Sequence, residues 1–552
     1  MAQFTSWKML MRLAALVVLF TLAEAKDVVV DLGYAQYKGQ ALSNGISQWL
    51  GIRYAAPPLG SLRFSAPQDP EELDGIQDAS QHGPLCIRTS EYPIPAGTSE
   101  DCLFLDVYAP ARFRGASSKP LPVFVWIQGG GFNTNGNPYY NGTGLIQASD
   151  MGLVIVTFNY RVGPYGFLSG AEILKDGSMN NGLKDQIQIL KWVQGHISKF
   201  GGDPNHVVIG GDSAGAASVT LLLSAYNGRD DGLFHAAIAE SQSFAPMLTI
   251  DEAQFAYDNL VTRTGCNSAV DTLACLRDLD IAALQRQNIA TPLPGAEEPP
   301  LYFYAPVVDD DLVPDYTYRL FFEGKFIKVP VIFGDVTNEG TTFVPQNLTS
   351  ISAANTFLKS QFPALTNIHL SRIDDYYLQN INSAQNRPYP NSTRYWHPTS
   401  SAYGEMRYIC PGIAMSSAYS TAGVPNWNYH YDVKDPEDEA SGLGVYHVVE
   451  INAIWGPEYV WFSETVGNPP PASYFTSNRD IVPLMQGYWT SFIKTYDPNV
   501  YRYPGSPRWE EWGEQGFQRL FIQTGETRME SVPGGQRERC EYLIGIGVEL
   551  TQ

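Results

Sequence analysis

The turn formed by residues 211–215, Gly-Asp-Ser-Ala-Gly, constrains the fold of this 552-residue chain more than any other stretch. Residues 207–209 are apolar and β-branched, which predicts the end of a buried strand, and the Ala- and Leu-rich residues 214–225 predict a helix. A serine with glycine two residues before and after it, between a strand and a helix, is the nucleophile-elbow pattern. We expect Gly211 and Gly215 to let strand and helix cross closely, while Ser213 adopts a strained backbone conformation at the helix N-terminus.

Short β-forming runs alternate with helical patterns along the chain. Residues 122–127 and 153–158 are continuous apolar runs bounded by turn residues, which is typical of central strands buried on both faces. Residues 181–200 have the apolar spacing of a helix, and residues 235–239 and 329–334 predict further strands. The sequence therefore predicts an α/β fold with a large, mostly parallel central sheet, helices on both faces and long insertions.

The first 25 residues predict a secretory signal peptide. Lys8 and Arg12 precede an apolar run over residues 13–22, and small residues Ala23 and Ala25 stand where signal peptidase reads the chain. We find no linker and no internal repeat afterwards, so we expect residues 26–552 to form one secreted, extracellular domain. No second apolar run of membrane length follows, and we expect no stable membrane insertion.

Six cysteines in a secreted chain predict disulfide bonds. Spacing favours two short loops and one long-range pair: Cys86–Cys102, Cys266–Cys275 and Cys410–Cys540. Three Asn-x-Ser/Thr triplets are candidate N-glycosylation sites: Asn141, Asn347 and Asn391. The net charge of −21 at pH 7 repels nucleic acid and anionic membrane surfaces, so we expect neither as a partner.

A serine hydroxyl is a weak nucleophile at neutral pH. It needs a histidine base oriented by a carboxylate, and backbone or side-chain donors for the oxyanion of the acyl-transfer transition state. Three consecutive glycines, residues 129–131, follow the strand predicted at 122–127, and glycine lets backbone N–H groups turn toward a ligand. The candidate oxyanion donors are therefore the N–H groups of Gly130, Gly131 and Ala214.

The expected chain order of serine, acid and histidine restricts the base to histidines that follow Ser213. His235 lies on the next predicted strand, and His369, His397, His430 and His447 remain. His430 falls inside an alternating strand pattern and is expected to be a packed residue. His447 ends a glycine-rich loop before a helix and is the favoured base.

The candidate acid is Glu339. It lies in the loop that follows the strand predicted at 329–334, and the carboxyl ends of strands are where open α/β sheets bind ligands. Asp335 and the aspartates at 309–311 are alternatives that the residues alone leave open.

These motifs belong to a wider pattern that covers almost the whole mature chain. Matching stretches are residues 51–58, 99–103, 158–164, 166–168 and 211–218. The chain resembles the type-B carboxylesterase/lipase family, which includes cholinesterases, secreted fungal lipases and the non-catalytic neuroligins. The resemblance implies an α/β-hydrolase fold, an acyl-enzyme mechanism without metal or cofactor, and a triad of Ser213, Glu339 and His447. It also implies the two short disulfides.

Departures from the family pattern bear on substrate fit. Gln128 stands where His or Tyr is common, Asp212 where Glu is common, and Val448 where a Gly follows the base. The loop between Cys86 and Cys102 matches the lipase lid, but it is short and polar and has no tryptophan to hold a choline. We therefore expect an esterase for small-molecule esters of short to medium acyl chain.

Two alternatives stay open. One is a triacylglycerol lipase with interfacial activation, against which the short lid argues. The other is a non-catalytic adhesion protein on the same fold, which is disfavoured because every catalytic position is filled. The natural ester and the oligomeric state do not follow from the sequence.

Overall fold

A computed structural model describes residues 27–111, 119–135, 139–379, 381, 388–460, 469–513 and 517–552. The predicted signal peptide, residues 1–25, lies outside the described residues. Those residues form fifteen strands: β1 (Asp27–Asp31), β2 (Gln36–Ala41), β3 (Ile46–Arg53), β4 (Ile76–Asp78), β5 (Leu85–Cys86), β6 (Thr98–Ser99), β7 (Phe104–Pro110), β8 (Leu121–Ile127), β9 (Val154–Phe158), β10 (Gly202–Asp212), β11 (Ala236–Glu240), β12 (Val331–Val336), β13 (Asn426–Tyr431), β14 (Gln518–Ile522) and β15 (Arg528–Ser531).

The same part of the chain forms seventeen α-helices. They are α1 (Thr143–Ala148), α2 (Gly163–Phe167), α3 (Ala171–Asp176), α4 (Asn181–His196), α5 (Ala214–Gly228, interrupted at its last turn), α6 (Ile250–Thr264), α7 (Thr272–Asp278), α8 (Ile281–Gln287), α9 (Thr317–Phe322), α10 (Ile351–Gln361), α11 (Asn367–Ile373), α12 (Trp396–Gly404), α13 (Cys410–Thr421), α14 (Pro436–Ser441), α15 (Ile451–Trp455), α16 (Ile481–Thr495) and α17 (Gly534–Gly545).

One large sheet organises the molecule. Its strand order is β1-β2-β3-β7-β9-β8-β10-β11-β12-β13-β14-β15, with β4 beside β2. The seven neighbours from β9 to β14 in that order are parallel, and antiparallel pairs lie toward both edges. This confirms the predicted mostly parallel sheet.

Alternate side chains of the central strands enter two different hydrophobic clusters, one on each face of the sheet. In β10, Val207 and Ile209 pack into the cluster that contains α5, whereas Val208 packs into the cluster that contains α16. A strand with a continuous apolar run can be buried on both of its faces. A strand of alternating polarity can be buried on one face only. The unbroken apolar patterns of the sequence are thus explained by helices on both sides.

The insertion between β12 and β13 builds its own cluster. Side chains of α10 to α13 pack there against α17. The disulfide between Cys410 and Cys540 joins α13 to α17 in this layer, and Cys86–Cys102 and Cys266–Cys275 are also bonded. No helix among the described residues has the length and apolar character to cross a membrane.

The helix predicted over residues 181–200 is shorter in the structure. α4 ends at His196, and Ile197–Phe200 form a 3₁₀ turn. Gly201 stands next at φ 89°, a left-handed conformation that terminates the helical path and that glycine adopts without strain.

Candidate active site

Ser213 lies in the tight turn between β10 and α5 with φ 55° and ψ −119°, a conformation that is costly for any residue other than glycine. A Cβ on Gly215 would lie 1.9 Å from the Ile127 carbonyl oxygen, and one on Gly211 would lie 2.6 Å from that same oxygen. The turn is therefore open to glycine alone at both positions, as expected from the sequence. Its backbone is fixed by the Ser213 N–H, which donates to the Glu240 carbonyl at 2.9 Å.

The glycine turn at 129–131 lies directly against the serine. A Cβ on Gly129 would come within 3.0 Å of the Ser213 Cβ, and the Gly129 N–H donates to Asp212 Oδ1 at 3.0 Å. Gly131 has φ 62°, and a Cβ there would strike the Tyr302 ring at 2.1 Å. These contacts explain why three small residues in succession are needed at this point.

The N–H groups of Gly130, Gly131 and Ala214 donate to no acceptor in the described part of the chain. Ala214 is the first residue of α5, so its N–H points out of the helix N-terminus. Unused donors beside a buried serine are the arrangement that an oxyanion requires.

His447 and Glu339 are in direct contact. The Nδ1 atom of His447 makes a short hydrogen bond with Glu339 Oε2, and Glu339 Oε1 accepts from the Val336 N–H at 3.0 Å. Both side chains are buried. The structure therefore brings together the base and the acid that the sequence favoured, 108 residues apart in the chain.

The other ring nitrogen of His447 is free. Nε2 is buried and has no hydrogen-bond partner among the described residues, and the ring packs against Tyr408 at 4.4 Å and Phe343 at 4.9 Å between centroids. No hydrogen bond joins Nε2 to Ser213 Oγ. Hydrogen bonds of catalytic groups are often long or poorly aligned before substrate binds.

The charge of His447 acts on Asp212, the residue before Ser213. Burial raises the pKa of Asp212, the residue before the serine, to about 6, and the charge of His447 is the largest influence opposing this rise. The imidazole is thus close enough to act on a carboxyl that lies next to the nucleophile candidate.

The alternative acids have other partners. The nearest polar contact of Asp335 is Gln242 Nε2 at 3.4 Å, and Asp309 Oδ1 accepts from the Val313 N–H at 2.8 Å. Neither carboxylate contacts a histidine within salt-bridge distance in the described part of the chain.

The alternative histidines also have partners outside the candidate site. His430 contacts Glu530 at 2.9 Å and Thr337 Oγ1 at 2.9 Å inside the sheet, so its interpretation as a packed residue is confirmed. His369 lies 3.4 Å from an exposed carboxylate, that of Glu549, and His397 stacks on Tyr389.

Two buried carboxyls behind the site were missed from the sequence. Glu450 accepts from Tyr429 Oη at 3.0 Å and faces Ser241 Oγ at 3.4 Å, and Glu240 accepts from Trp489 Nε1 at 2.6 Å. Burial raises the pKa of Glu450 to about 8, and the charge of Glu339 adds to the rise. A signal for Glu240 existed, since it is an acidic residue that ends an otherwise apolar strand.

One group of three potential metal ligands occurs in the described residues: Glu405, Cys410 and Cys540. The two cysteines are joined as a disulfide, so they offer no thiolate. This cluster does not fit a metal ion.

Comparison with known proteins decides the family. The model of the carboxylesterase family matches residues 26–542. The chain belongs to this family. As a carboxylesterase family member it is a carboxylic ester hydrolase with an α/β-hydrolase fold.

Its relatives are secreted and bacterial esterases and lipases. The chain is 32% identical to secreted lipase 4 of Gibberella zeae, over 89% of this chain and 86% of the relative. It is 29% identical to the para-nitrobenzyl esterase of Bacillus subtilis, over 93% and 98%. The crystal structure of Aspergillus niger EstA superimposes with a TM-score of 0.89 at 41% identity, covering 95% of this chain and 99% of that one.

Proposed function

We propose that this carboxylesterase family member is a secreted serine esterase that works through an acyl-enzyme. Ser213 is the nucleophile, His447 the general base and acid, and Glu339 the residue that orients His447. The observation that carries the proposal is the buried His447, whose Nδ1 is held by Glu339 while Nε2 is free.

The proton path follows from that geometry. Because Glu339 accepts from Nδ1–H, the lone pair of the neutral imidazole is on Nε2. A turn of the Ser213 side chain toward Nε2 lets the imidazole take the hydroxyl proton as Oγ bonds to the acyl carbon. Glu339 stabilises the resulting imidazolium, which gives its proton to the departing alcohol. Water then attacks the acyl carbon while His447 takes its proton. The imidazolium returns that proton to Ser213 Oγ as the carboxylic acid leaves.

The oxyanion is held by backbone N–H groups. The donors are Gly130, Gly131 and Ala214, which have no other acceptor among the described residues. The glycine turn is held by hydrogen bonds: the Asn133 and Thr134 N–H groups donate to the Gly130 carbonyl at 3.1 and 2.9 Å, and Asn133 Nδ2 donates to the Gly131 carbonyl at 2.7 Å. Donors fixed in this way need little reorganisation when charge develops.

Secretion is supported by three disulfides and by relatives named as secreted lipases. We propose that the chain loses residues 1–25 and carries sugar on exposed sequons. Sequencing of protein recovered from the medium should begin at Lys26, and a start at Met1 would contradict this.

Active-site labelling tests the catalytic assignment. A fluorophosphonate should add to Ser213 in the folded protein, as read by peptide mapping, and His447→Ala should abolish the adduct. The matched control is Ser224→Ala, which removes a buried hydroxyl on α5 that bonds only within the helix. A folded wild type that takes no label would overturn the proposal in favour of a binding protein on this fold.

A second candidate function is triacylglycerol lipase, which is favoured by the names of several relatives. The two are separated by the rate on one ester below and above its solubility limit. We expect a hyperbolic rate without a step, whereas a jump when the emulsion forms would assign the lipase.

A further inference from the structure

Arg407 is a buried cation without a carboxylate partner. It lies in the π-helical segment Glu405–Ile409 between α12 and α13, and only 4% of its surface is exposed. No carboxylate of the described residues lies within 4.0 Å of its guanidinium. Its side-chain hydrogen bond runs from Nε to Ser243 Oγ at 2.8 Å. The guanidinium also acts on the hydroxyls of Tyr403 and Tyr408, where its charge opposes the rise in pKa that burial causes.

Tyrosine rings surround this guanidinium. Its carbon lies 5.6 Å from the ring centroid of Tyr302 and 5.9 Å from those of Tyr403 and Tyr408. The hydroxyls of Tyr403 and Tyr408 are themselves buried, and among the described residues neither makes a hydrogen bond of good geometry, although they lie near each other and near the guanidinium. A desolvated cation beside unsatisfied hydroxyls is costly, and an incoming anion would relieve both deficits.

Three of the four neighbours of Arg407, namely Ser243, Tyr302 and Tyr408, contact the candidate active site directly. The Ser243 N–H faces the Ser213 carbonyl at 3.3 Å. Tyr302 packs on Gly131 of the oxyanion turn, and Tyr408 packs on the His447 ring. Arg407 is therefore one residue removed from the nucleophile, the oxyanion donors and the base.

A cavity borders Arg407 and Tyr302, the residue that packs on Gly131. Its empty space is about 600 Å³ when the open solvent at its mouth is included. Arg407 and Tyr304, whose buried hydroxyl is also unpartnered, provide polar atoms, and the remaining wall is largely apolar, with Phe255, Leu293 and Phe303 among its residues. Such a wall suits a methylene chain, and the guanidinium suits the group at its end.

We propose that Arg407, with Tyr403 and Tyr408, binds a carboxylate of the substrate, so that the preferred substrate is an ester with a second, ionised carboxyl group. Half-esters of dicarboxylic acids have this chemistry. The guanidinium offers its two Nη groups to the carboxylate as a bidentate pair, and the tyrosine hydroxyls donate to the remaining lone pairs. The inference rests on the proposed esterase function.

Matched esters test it with the wild-type protein. p-Nitrophenyl hexanoate and the mono-p-nitrophenyl ester of adipic acid differ in a terminal carboxylate on the acyl side. Pentyl acetate and 5-acetoxypentanoate differ in the same way on the alcohol side. In at least one pair we expect kcat/KM to favour the charged ester by about 10- to 100-fold, the range for a buried charged hydrogen bond.

Substitution of Arg407 tests whether this residue causes the preference for the charged ester. In Arg407→Met the preference should fall to about one, with the loss mainly in KM because the contact exists before the transition state. Arg407→Lys keeps the charge and should keep part of the preference. Arg229→Met is the matched control, because it removes an exposed arginine paired with Asp231 and should leave the preference as in wild type.

The outcomes are distinguishable. Hydrolysis of the neutral esters by wild type without preference for the charged partner in either pair overturns the carboxylate subsite and leaves the esterase standing. A preference that survives in Arg407→Met also overturns it. No hydrolysis of any of the four esters by folded protein overturns the proposed function itself. If Arg407→Met does not fold, the wild-type ratios and Arg407→Lys decide.

Discussion

Asn338 and Val445 exchange two hydrogen bonds that fasten the loop of Glu339 to the loop of His447. The Asn338 N–H donates to the Val445 carbonyl at 2.9 Å, and the Val445 N–H donates to Asn338 Oδ1 at 2.9 Å. The contact between His447 and Glu339 is therefore supported by one backbone hydrogen bond and one hydrogen bond to the Asn338 side chain, and does not depend on the two side chains alone.

Asn338→Ala should lower kcat without removing a reacting group. The change leaves the Val445 N–H without its acceptor, which costs about 1–3 kcal/mol of stability, and frees the His447 loop to shift. We expect kcat to fall about tenfold with a smaller change in KM, measured on a p-nitrophenyl ester. The control is Asn355→Ala, which removes one side-chain hydrogen bond, from Asn355 Nδ2 to Asp374 Oδ2. Equal effects of the two variants would refute the role given to Asn338.

Gly131→Ala should damage catalysis more than folding of the sheet. A Cβ there meets the Tyr302 ring at 2.1 Å, and φ 62° is unfavourable for alanine. Displacement of one oxyanion donor should lower kcat about 100- to 1000-fold. The control is Gly195→Ala in α4, where a Cβ meets nothing within 4 Å. It should retain activity and gain about 0.5–1 kcal/mol in urea unfolding.

Glu450 should make the fold less stable as pH rises. Burial raises its pKa to about 8 from an ordinary 4.5, with a further rise from Glu339. A carboxyl that binds its proton more tightly when folded stabilises the protein fully below its unfolded pKa. That contribution is lost as pH rises toward about 8, at about 1.4 kcal/mol for each unit of pKa difference.

Urea unfolding at about pH 5 and about pH 8.5 tests whether the free energy of unfolding falls with pH. Most of the interval between the unfolded and folded pKa values of Glu450 lies between these two conditions. Glu450→Gln is neutral at both and should lose less stability over the interval than wild type. Glu526→Gln, an exposed carboxyl, should behave as wild type. Parallel losses in wild type and Glu450→Gln would contradict the assignment.

The three sequons should differ in sugar occupancy. Asn347 and Asn391 are exposed, whereas Asn141 is half-buried and accepts from the Thr143 N–H at 2.9 Å. After expression in a eukaryotic host, Asn347→Gln and Asn391→Gln should each remove one glycan from the intact mass, and Asn141→Gln should remove none. A mass loss with Asn141→Gln would refute this ranking.

Local sequence patterns were sufficient to predict the features that depend on neighbouring residues in the chain. The glycines around Ser213 report a backbone clash that occurs within five residues, and continuous apolar runs report strands covered on both faces. Chain order and family resemblance then favoured Glu339 and His447. The structure adds their contact, together with the different partners of Asp335 and His430.

Long-range pairs could not be predicted in the same way. Arg407 lies in a stretch for which periodicity indicates only helix, while its hydrogen-bond partner Ser243 is 164 residues away. Glu450 stands three residues after His447, but its hydrogen bond comes from Tyr429 in β13. Apolar spacing shows which face of an element is buried and carries no information on which polar group it meets.

Ser213, Glu339 and His447 follow β10, β12 and β13 in the chain, and the mutual register of these strands is fixed by parallel pairing through β11. The segment that contributes Arg407 is inserted between β12 and β13 and packs as its own layer. Arg407 thus comes from a different layer than Ser213, although Tyr408 of the same segment packs on the His447 ring. Exchange of residues 396–421 between homologous enzymes would therefore move Arg407 and Tyr408 together, so that any change in substrate preference would be accompanied by a changed contact of His447.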